Sequence, residues 1–208
     1  MKFIQKLANE RFARSASKLM KYACYFVIGF TALCTLLSFL GRQSFTLHAR
    51  TGTYENAIYA EKNHEPHSRS MTVFMGDDIH VWTNDSDQLD LTMHIGLSLL
   101  YAVQTVPMML AFWFLSRVFS NIHRGQIFSE QNSVCLLCYG LIQCASAVLV
   151  PFIKLLLCWL TNLLSSCQIS IATGQSSLNA LFPSIAFLVA AYIIHYGVHL
   201  QDEVDHTL

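Results

Sequence analysis

The strongest constraint on this chain is an apolar run at residues 22–40, nineteen residues without a charged side chain. A helix rises about 1.5 Å per residue, so a run of this length can cross a hydrocarbon core of about 30 Å. A cleaved signal peptide would carry an apolar region of about 7–15 residues that ends in a small-residue cleavage pattern. This run is longer and ends in Gly41-Arg42, so it predicts an uncleaved membrane anchor.

Two other apolar runs have the character of single membrane spans. Residues 95–115 contain Gln104 and Pro107, which a transmembrane helix tolerates when its neighbours satisfy the freed backbone groups. Residues 181–199 form a shorter run that can span the membrane with tilt or with snorkelling of its flanks.

The remaining apolar run extends over residues 134–164, which is longer than one perpendicular crossing needs. The sequence predicts a crossing at 134–155, in which Pro151 offers a point for a kink. Lys154 then lies near the far interface, where its aliphatic stem can snorkel towards water. The remainder of the run is expected to lie at the outer surface as an amphipathic segment.

Composition supports this interpretation, because hydrophobic residues make up 53% of the chain and charged residues only 12%. A soluble domain has about 25% charged residues, so the excess apolar surface is expected to face lipid. The predicted fold class is all-α membrane, a four-transmembrane-helix bundle in a single domain over residues 1–208, with a small β-containing extracytoplasmic loop between helices 1 and 2. The predicted segments are helices at 22–40, 95–115, 134–155 and 181–199, an extracytoplasmic loop at 41–91, a cytoplasmic corner at 116–133 and a cytoplasmic tail at 200–208.

The distribution of Lys and Arg predicts the orientation of the chain. Six of them lie in residues 1–21 and two in the short connection 116–133, whereas the connection 165–180 has none. The 41–91 connection has four over a much greater length, together with eight acidic residues. Because basic residues are enriched in cytoplasmic segments, both termini are predicted to be cytoplasmic.

The large outer loop contains short runs of β-favouring residues. Residues 72–75 and 79–82 flank the turn-forming stretch Gly76-Asp77-Asp78, a pattern that predicts a β-hairpin. Residues 45–48 and 57–59 are candidates for further strands. Together these runs predict a small β-rich cap.

The cysteine and histidine patterns do not support a thiol redox site or a metal site. None of the seven cysteines lies in the large outer loop, and the pair Cys135 and Cys138 falls at the predicted cytoplasmic start of the third span. Two cysteines there favour packing on a helix over a thiol relay. His64 and His67 have only two residues between them, unlike a helical zinc motif. We therefore expect no catalytic site, no metal site and no cofactor.

Three polar side chains inside the predicted spans keep a transport role open. Polar groups are costly in a membrane and often functional, so Gln104, Gln143 and Lys154 are candidates for lining a path. A lysine near an interface is more often snorkelling, which favours a role other than transport.

The predicted corner and tail form the most distinctive cytoplasmic pattern. Gly125 is placed to end a helix in a left-handed conformation, Phe128 to bury against the bundle and Ser129 to cap the next helix. In the tail, Leu200 and Val204 share one helical face. The candidates for a partner-binding surface are Asn121, Arg124, Gly125, Phe128, Leu200, Gln201, Glu203 and Asp205.

These two segments resemble the signatures of a bacterial membrane family known as the domain of unknown function numbered 2975. The resemblance rests on Asn121, Ile122, Gly125, Ile127, Phe128, Ser129 and Asn132, and on Gly197, Leu200, Gln201, Glu203, Asp205 and Thr207. It implies four helices, a bacterial inner-membrane location and, by association only, a small cytoplasmic helix-turn-helix regulator as partner. The chain departs from the family pattern at His123 and in its long outer loop.

The function expected from the sequence is that of a non-enzymatic sensory or regulatory partner of a cytoplasmic protein. A small transporter, channel or immunity-type membrane protein is the alternative, and a thiol redox enzyme ranks below both. The lipid bilayer is an expected partner. The equal numbers of basic and acidic residues, 13 each, give no sign of direct nucleic-acid binding.

Overall fold

The computed structural model describes residues 10–60, 72–74, 76–83, 89–126, 129–172 and 178–207. The described residues form helices and strands in the following order: α1 (Glu10–Phe39), β1 (Ser44–Ala49), β2 (Gly52–Ile58), β3 (Asp78–Trp82), α2 (Leu91–His123), α3 (Glu130–Leu164), β4 (Gln168–Ala172) and α4 (Leu178–Thr207).

Four helices are long and apolar enough to cross a membrane, which indicates a multi-pass membrane protein. They correspond to the four predicted spans and extend beyond them. The clearest difference concerns α3, which continues as one helix through Pro151 to Leu164 and does not end near residue 155. The backbone of the predicted tail is also helical, as the last part of α4.

The β-rich cap is a four-stranded sheet in the order β2-β1-β3-β4. β1 pairs with β2 in antiparallel and with β3 in parallel orientation, and β3 pairs with β4 in antiparallel orientation. β4 lies in the short connection between α3 and α4. The expectation that the β structure belongs to the loop between the first two helices was therefore incomplete, because both predicted outer connections supply strands.

The predicted hairpin across Gly76 is wrong. Both edges of β3 are occupied, one by β1 and the other by β4. Val73 forms a parallel bridge with Gln43 instead, and its backbone exchanges hydrogen bonds with Arg42 and Ser44 at 3.0 and 2.9 Å. The segment before Gly76 is thus joined to the start of β1, which explains why it does not fold back on β3.

The chain divides into two compact units. The first consists of Met1–Phe30, Pro107–Ala147 and Ala180–Leu208, and the second of Thr31–Val106 and Val148–Asn179. The sheet belongs entirely to the second unit. The sequence offered no signal for this division, because residues of α1, α2 and α3 contribute to both units.

In the second unit, strand alternation places one face of the sheet in an apolar core. Ile79 and Val81 of β3 are buried, whereas Asp78 and Trp82 are exposed. The same core combines residues of all four strands with residues of α2 and of the α3 end. Its buried members are Phe45, Leu47, Ala57, Ile79, Val81, Met93, Leu97, Leu100, Cys158, Cys167 and Ile169. The alternation follows from the two-residue period of a strand, which sends successive side chains to opposite faces.

The first unit has its own core, made of residues from its four helical segments. Its buried members are Cys24, Ala111, Leu115, Val118, Cys135, Leu136, Tyr139 and Ala191. Gly140 permits close approach of α3 and α4, because an added Cβ would lie 2.8 Å from Leu188 Cδ2 and 3.3 Å from the Leu188 backbone nitrogen.

Candidate functional site

The most unusual polar group in the second unit is Lys154, a charged side chain on the apolar helix α3. Only 7% of the residue is exposed. Its ammonium group donates to Asp77 Oδ2 in an ion pair and to Gln104 Oε1 at 2.8 Å. The sequence-based expectation that Lys154 snorkels to water is thus wrong, because the charge is paired inside the second unit.

Asp77 reaches this lysine from the segment that leads into β3. Its side chain is 11% exposed, so most of the ion pair is shielded from solvent. A buried pair requires good geometry and further hydrogen bonds to offset the loss of solvation. Gln104 of α2 supplies one such bond, and the three residues therefore link the sheet, α2 and α3. We call Asp77, Gln104 and Lys154 the lysine triad.

A pocket of about 280 Å³ opens next to the triad on the sheet. It has both polar and apolar walls, and Asp77 is part of its lining. The other lining residues are Ser44, Phe45, Thr46, Glu55, Asn56, Phe74, Asp78 and Ile79. A molecule that entered this pocket would lie against Asp77, the residue that is paired with Lys154.

Two structural features fix the end of α3, one against α2 and the other against β4. Gly96 faces Thr161 so closely that an added Cβ would lie 2.5 Å from Thr161 Oγ1. The Asn162 side-chain amide donates to the Ile169 carbonyl at 3.0 Å and accepts from the Ile169 N–H at 2.7 Å. The amide thus occupies backbone groups of the edge strand β4 and fixes β4 to the end of α3.

Asp90, just before α2, holds the connection between α3 and β4. Its Oδ2 accepts hydrogen bonds from the Ser166 hydroxyl and from the Ser166 N–H, the latter at 3.0 Å. The Ser166 side chain and then its backbone lower the pKa of Asp90 below its ordinary value. The bonds favour the charged carboxylate, so the contact weakens when Asp90 is protonated.

The corner of the first unit ends α2 as the sequence predicts. Gly125 has a φ of 86°, in the left-handed region that glycine adopts readily. The Gln126 N–H donates to the Asn121 carbonyl at 3.0 Å, and the Gly125 N–H donates to the Ile122 carbonyl at 2.9 Å. This pair of bonds is a Schellman motif, which satisfies carbonyls at the end of a helix.

The beginning of α3 is fixed by a hydrogen-bond network that sequence reasoning missed. Ser129 caps the helix as predicted, with its Oγ accepting from the Asn132 N–H at 3.3 Å. Asn132 is fully buried, donates to the Gln126 carbonyl at 2.6 Å and accepts from Asn121 Nδ2 at 2.9 Å. An asparagine at the third position of α3, just before the apolar run that begins at Val134, was the available signal.

Comparison with protein families decides where the chain belongs. The sequence model of the family described as "Protein of unknown function (DUF2975)" matches residues 53–208. The chain is a DUF2975 protein. This confirms the resemblance read from the corner and the tail. No curated protein and no solved structure matched the chain.

The match of the DUF2975 family covers the lysine triad, the corner and α4, and it begins within β2. The candidate surface residues in this range differ in accessibility. Arg124 and Gly125 are exposed, whereas Asn121 is buried and bonded to Asn132. Phe128 lies outside the described residues, as do the side chains of Leu200, Gln201, Glu203 and Asp205.

The N-terminal helix also contacts the corner, through a residue that the sequence analysis did not select. The Arg14 carbonyl lies 3.1 Å from His123 Nδ1. The Arg14 guanidinium lies beside Gly125, 3.4 Å from where a Cβ would stand. The corner of this DUF2975 protein therefore packs against α1 within the first unit.

One histidine pair and the cysteine pair of α3 have defined positions in the part of the chain that the structure describes. His48 Nε2 and His80 Nδ1 are 3.1 Å apart across β1 and β3, so one ring donates to the other. Cys135 is buried in the first core and Cys138 is half-buried, both as free thiols. His64 and His67 lie outside the described residues. No group of three or more possible metal ligands occurs among the described residues.

The three polar candidates for a transport path are not brought together in one unit. Gln104 and Lys154 are in contact in the second unit. Gln143 belongs to the first unit, where it lines a separate cavity.

Proposed function

We propose that this DUF2975 protein is a non-enzymatic sensory or regulatory membrane protein in which the lysine triad couples the outer sheet to α3. The observation that carries the proposal is the buried ion pair between Asp77 of the sheet segment and Lys154 of α3. Burying a charged pair costs desolvation free energy that an apolar contact of the same size avoids. A role in switching gives such a pair a function beyond stability.

In this mechanism, a change at the sheet weakens or strengthens the ion pair between Asp77 and Lys154. A ligand in the pocket that Asp77 lines would lie against this residue. Without Asp77, a buried ammonium group remains with the neutral oxygen of Gln104, and α3 is favoured to shift until the charge finds another partner or water. The start of the same helix contains Asn132, which organises the corner proposed to contact a cytoplasmic regulator.

We place the protein in a bacterial inner membrane with both termini in the cytoplasm. The six basic residues among residues 1–21 support this orientation. Reporter fusions at Thr53 and at the C-terminus are expected to report opposite sides of the membrane. Reports from the same side would refute the orientation.

The regulatory proposal is tested by comparing transcripts from a strain that lacks the protein with strains that carry wild type, Asp77→Asn or Asp78→Asn. Asp78 is a matched control, because it lines the same pocket but is exposed. At equal membrane levels, we expect Asp77→Asn to change the transcript profile and Asp78→Asn to match wild type. The proposal fails if the deletion strain and the Asp77→Asn strain both match wild type.

A small transporter is the second candidate function, favoured by the buried contact between Lys154 and Gln104. For this function, purified protein in proteoliposomes is expected to dissipate an imposed ion gradient. The flux should disappear in Lys154→Met and persist in Asp78→Asn. Proteoliposomes that hold the gradient as well as protein-free vesicles would exclude an ion-conducting transporter.

A further inference from the structure

A second cavity lies in the first unit, between α3 and α4. Its volume is about 150 Å³, and its walls are Tyr139, Gln143, Pro183, Ser184 and Phe187. All five residues lie in helices that are long and apolar enough to span a membrane. This cavity belongs to a different unit from the lysine triad, so an inference about it does not rest on the proposed function.

Two polar side chains that line this cavity have no hydrogen-bond partner among the described residues. Tyr139 is 8% exposed, so its ring is almost completely enclosed. Gln143 carries a carbonyl acceptor and two N–H donors, and Tyr139 carries a hydroxyl that both donates and accepts. Gln143 is half-buried. Polar groups inside a membrane have no bulk water around them and are nearly always hydrogen-bonded. These unused groups therefore point to a molecule that satisfies them.

Close packing on one side keeps this cavity from collapsing. Gly140 lets α3 approach Leu188 of α4 to the distance of van der Waals contact. The Ser133 hydroxyl donates to the Ala191 carbonyl at 2.9 Å, which ties the same two helices together two turns from the cavity. The walls are thus fixed by contacts that do not include the two unpartnered groups.

The size and the walls of the cavity define the class of ligand. An apolar protein cavity of about 150 Å³ is large enough to bind benzene. Here the Phe187 ring meets the Tyr139 ring edge-on, with centroids 4.6 Å apart, and Pro183 adds another apolar wall. None of the lining side chains carries a charge at neutral pH, which disfavours an ionic ligand.

We propose that the cavity binds a small neutral aromatic ring with a hydroxyl substituent, the chemistry of a phenol. The ring would pack against Phe187 and Pro183, and its hydroxyl would hydrogen-bond to the Gln143 amide. The ring is either a free phenol dissolved in the membrane or the headgroup of a larger lipid-soluble molecule.

The test uses the full chain, purified in detergent, with phenol, 4-nonylphenol and benzene as probes in equilibrium titrations. Saturable binding of phenol would identify a free solute, and binding of 4-nonylphenol alone would identify a tailed headgroup. Gln143→Leu is expected to weaken binding of the phenolic probe about tenfold, the effect of one lost hydrogen bond, without weakening benzene binding. Gln168→Leu, the same substitution on the exposed face of β4, should leave binding unchanged.

Tyr139→Phe provides a second variant in case Gln143→Leu does not fold. This substitution removes only the hydroxyl and preserves the ring. It should weaken binding of the phenolic probe without weakening benzene binding, because it removes the other unpartnered polar group of the cavity. Failure of both phenols to bind wild type saturably would mean that the cavity holds only water or lipid chains and would overturn the proposal. Equal binding by wild type and both variants would overturn it as well.

Discussion

Asp77→Ala should destabilise the second unit strongly, because it leaves the Lys154 ammonium group buried without its negative partner. Lys154 is 7% exposed, and its other hydrogen bond, to Gln104, is with a neutral oxygen. Removal of one partner from a buried ion pair costs about 3–5 kcal/mol, mostly the penalty of the remaining charge. We expect a loss of this size in the free energy of unfolding.

The same reasoning predicts that the double variant Asp77→Ala/Lys154→Met is more stable than Asp77→Ala alone. Removing both charges removes the desolvation penalty along with the attraction, and methionine fills part of the space of the lysine stem. The two single substitutions should therefore be non-additive, with an interaction free energy of about 2 kcal/mol or more.

Unfolding of the purified protein by denaturing detergent, followed by tryptophan fluorescence, measures these free energies. Trp82 in β3 and Trp159 in α3 are in the second unit and report on its opening. Asp78→Ala is the control, since Asp78 is exposed, and it should change the free energy of unfolding by less than about 0.5 kcal/mol. A loss below about 1 kcal/mol in Asp77→Ala, or additive single effects, would refute the buried-charge argument.

Substitutions at three further sites test other parts of the structure. Asn132→Ala should cost about 1–3 kcal/mol in thermal unfolding measurements, because it leaves buried groups of the corner unsatisfied; an unchanged melting temperature would contradict this. Asp90 contributes stability above its unfolded pKa, and this contribution is lost as the pH falls through its lowered folded pKa. Asp90→Asn should therefore reduce the loss of unfolding free energy that wild type shows on acidification. Ser166→Ala should reduce that loss in part. Gly96→Ala should destabilise by about 1–3 kcal/mol through its clash with Thr161, and Thr161→Ala should restore part of the loss; no rescue would contradict the close approach.

The features that could be predicted from the sequence are those determined by neighbouring residues. Four apolar runs specify four helices, because each run is long enough to span a membrane by itself. Gly125 and Ser129 end and begin helices through bonds between residues at most five positions apart. The corner could thus be read from a short segment, apart from the network of Asn132.

The features that could not be predicted depend on contacts between distant residues. The β-favouring residues 79–82 identified a strand, but the strand's partners lie in β1 and β4, and β4 follows two intervening helices. Lys154 was expected to snorkel towards water because its position was considered along its own helix alone. Asp77, which pairs with it, is 77 positions away in the sequence, and no local pattern relates the two residues.

The pairing of β3 with β4 also constrains topology without any reference to charge. Hydrogen-bonded strands must lie on the same side of a membrane, so the chain between Trp82 and Gln168 crosses an even number of times. Its two long helices, α2 and α3, account for two crossings if each spans once. The contact of Asp90 with Ser166, at the ends of the same two helices, imposes the same condition independently. The Lys and Arg distribution is then needed only to decide which side carries the sheet, and a single reporter fusion at Thr53 is sufficient to test that choice.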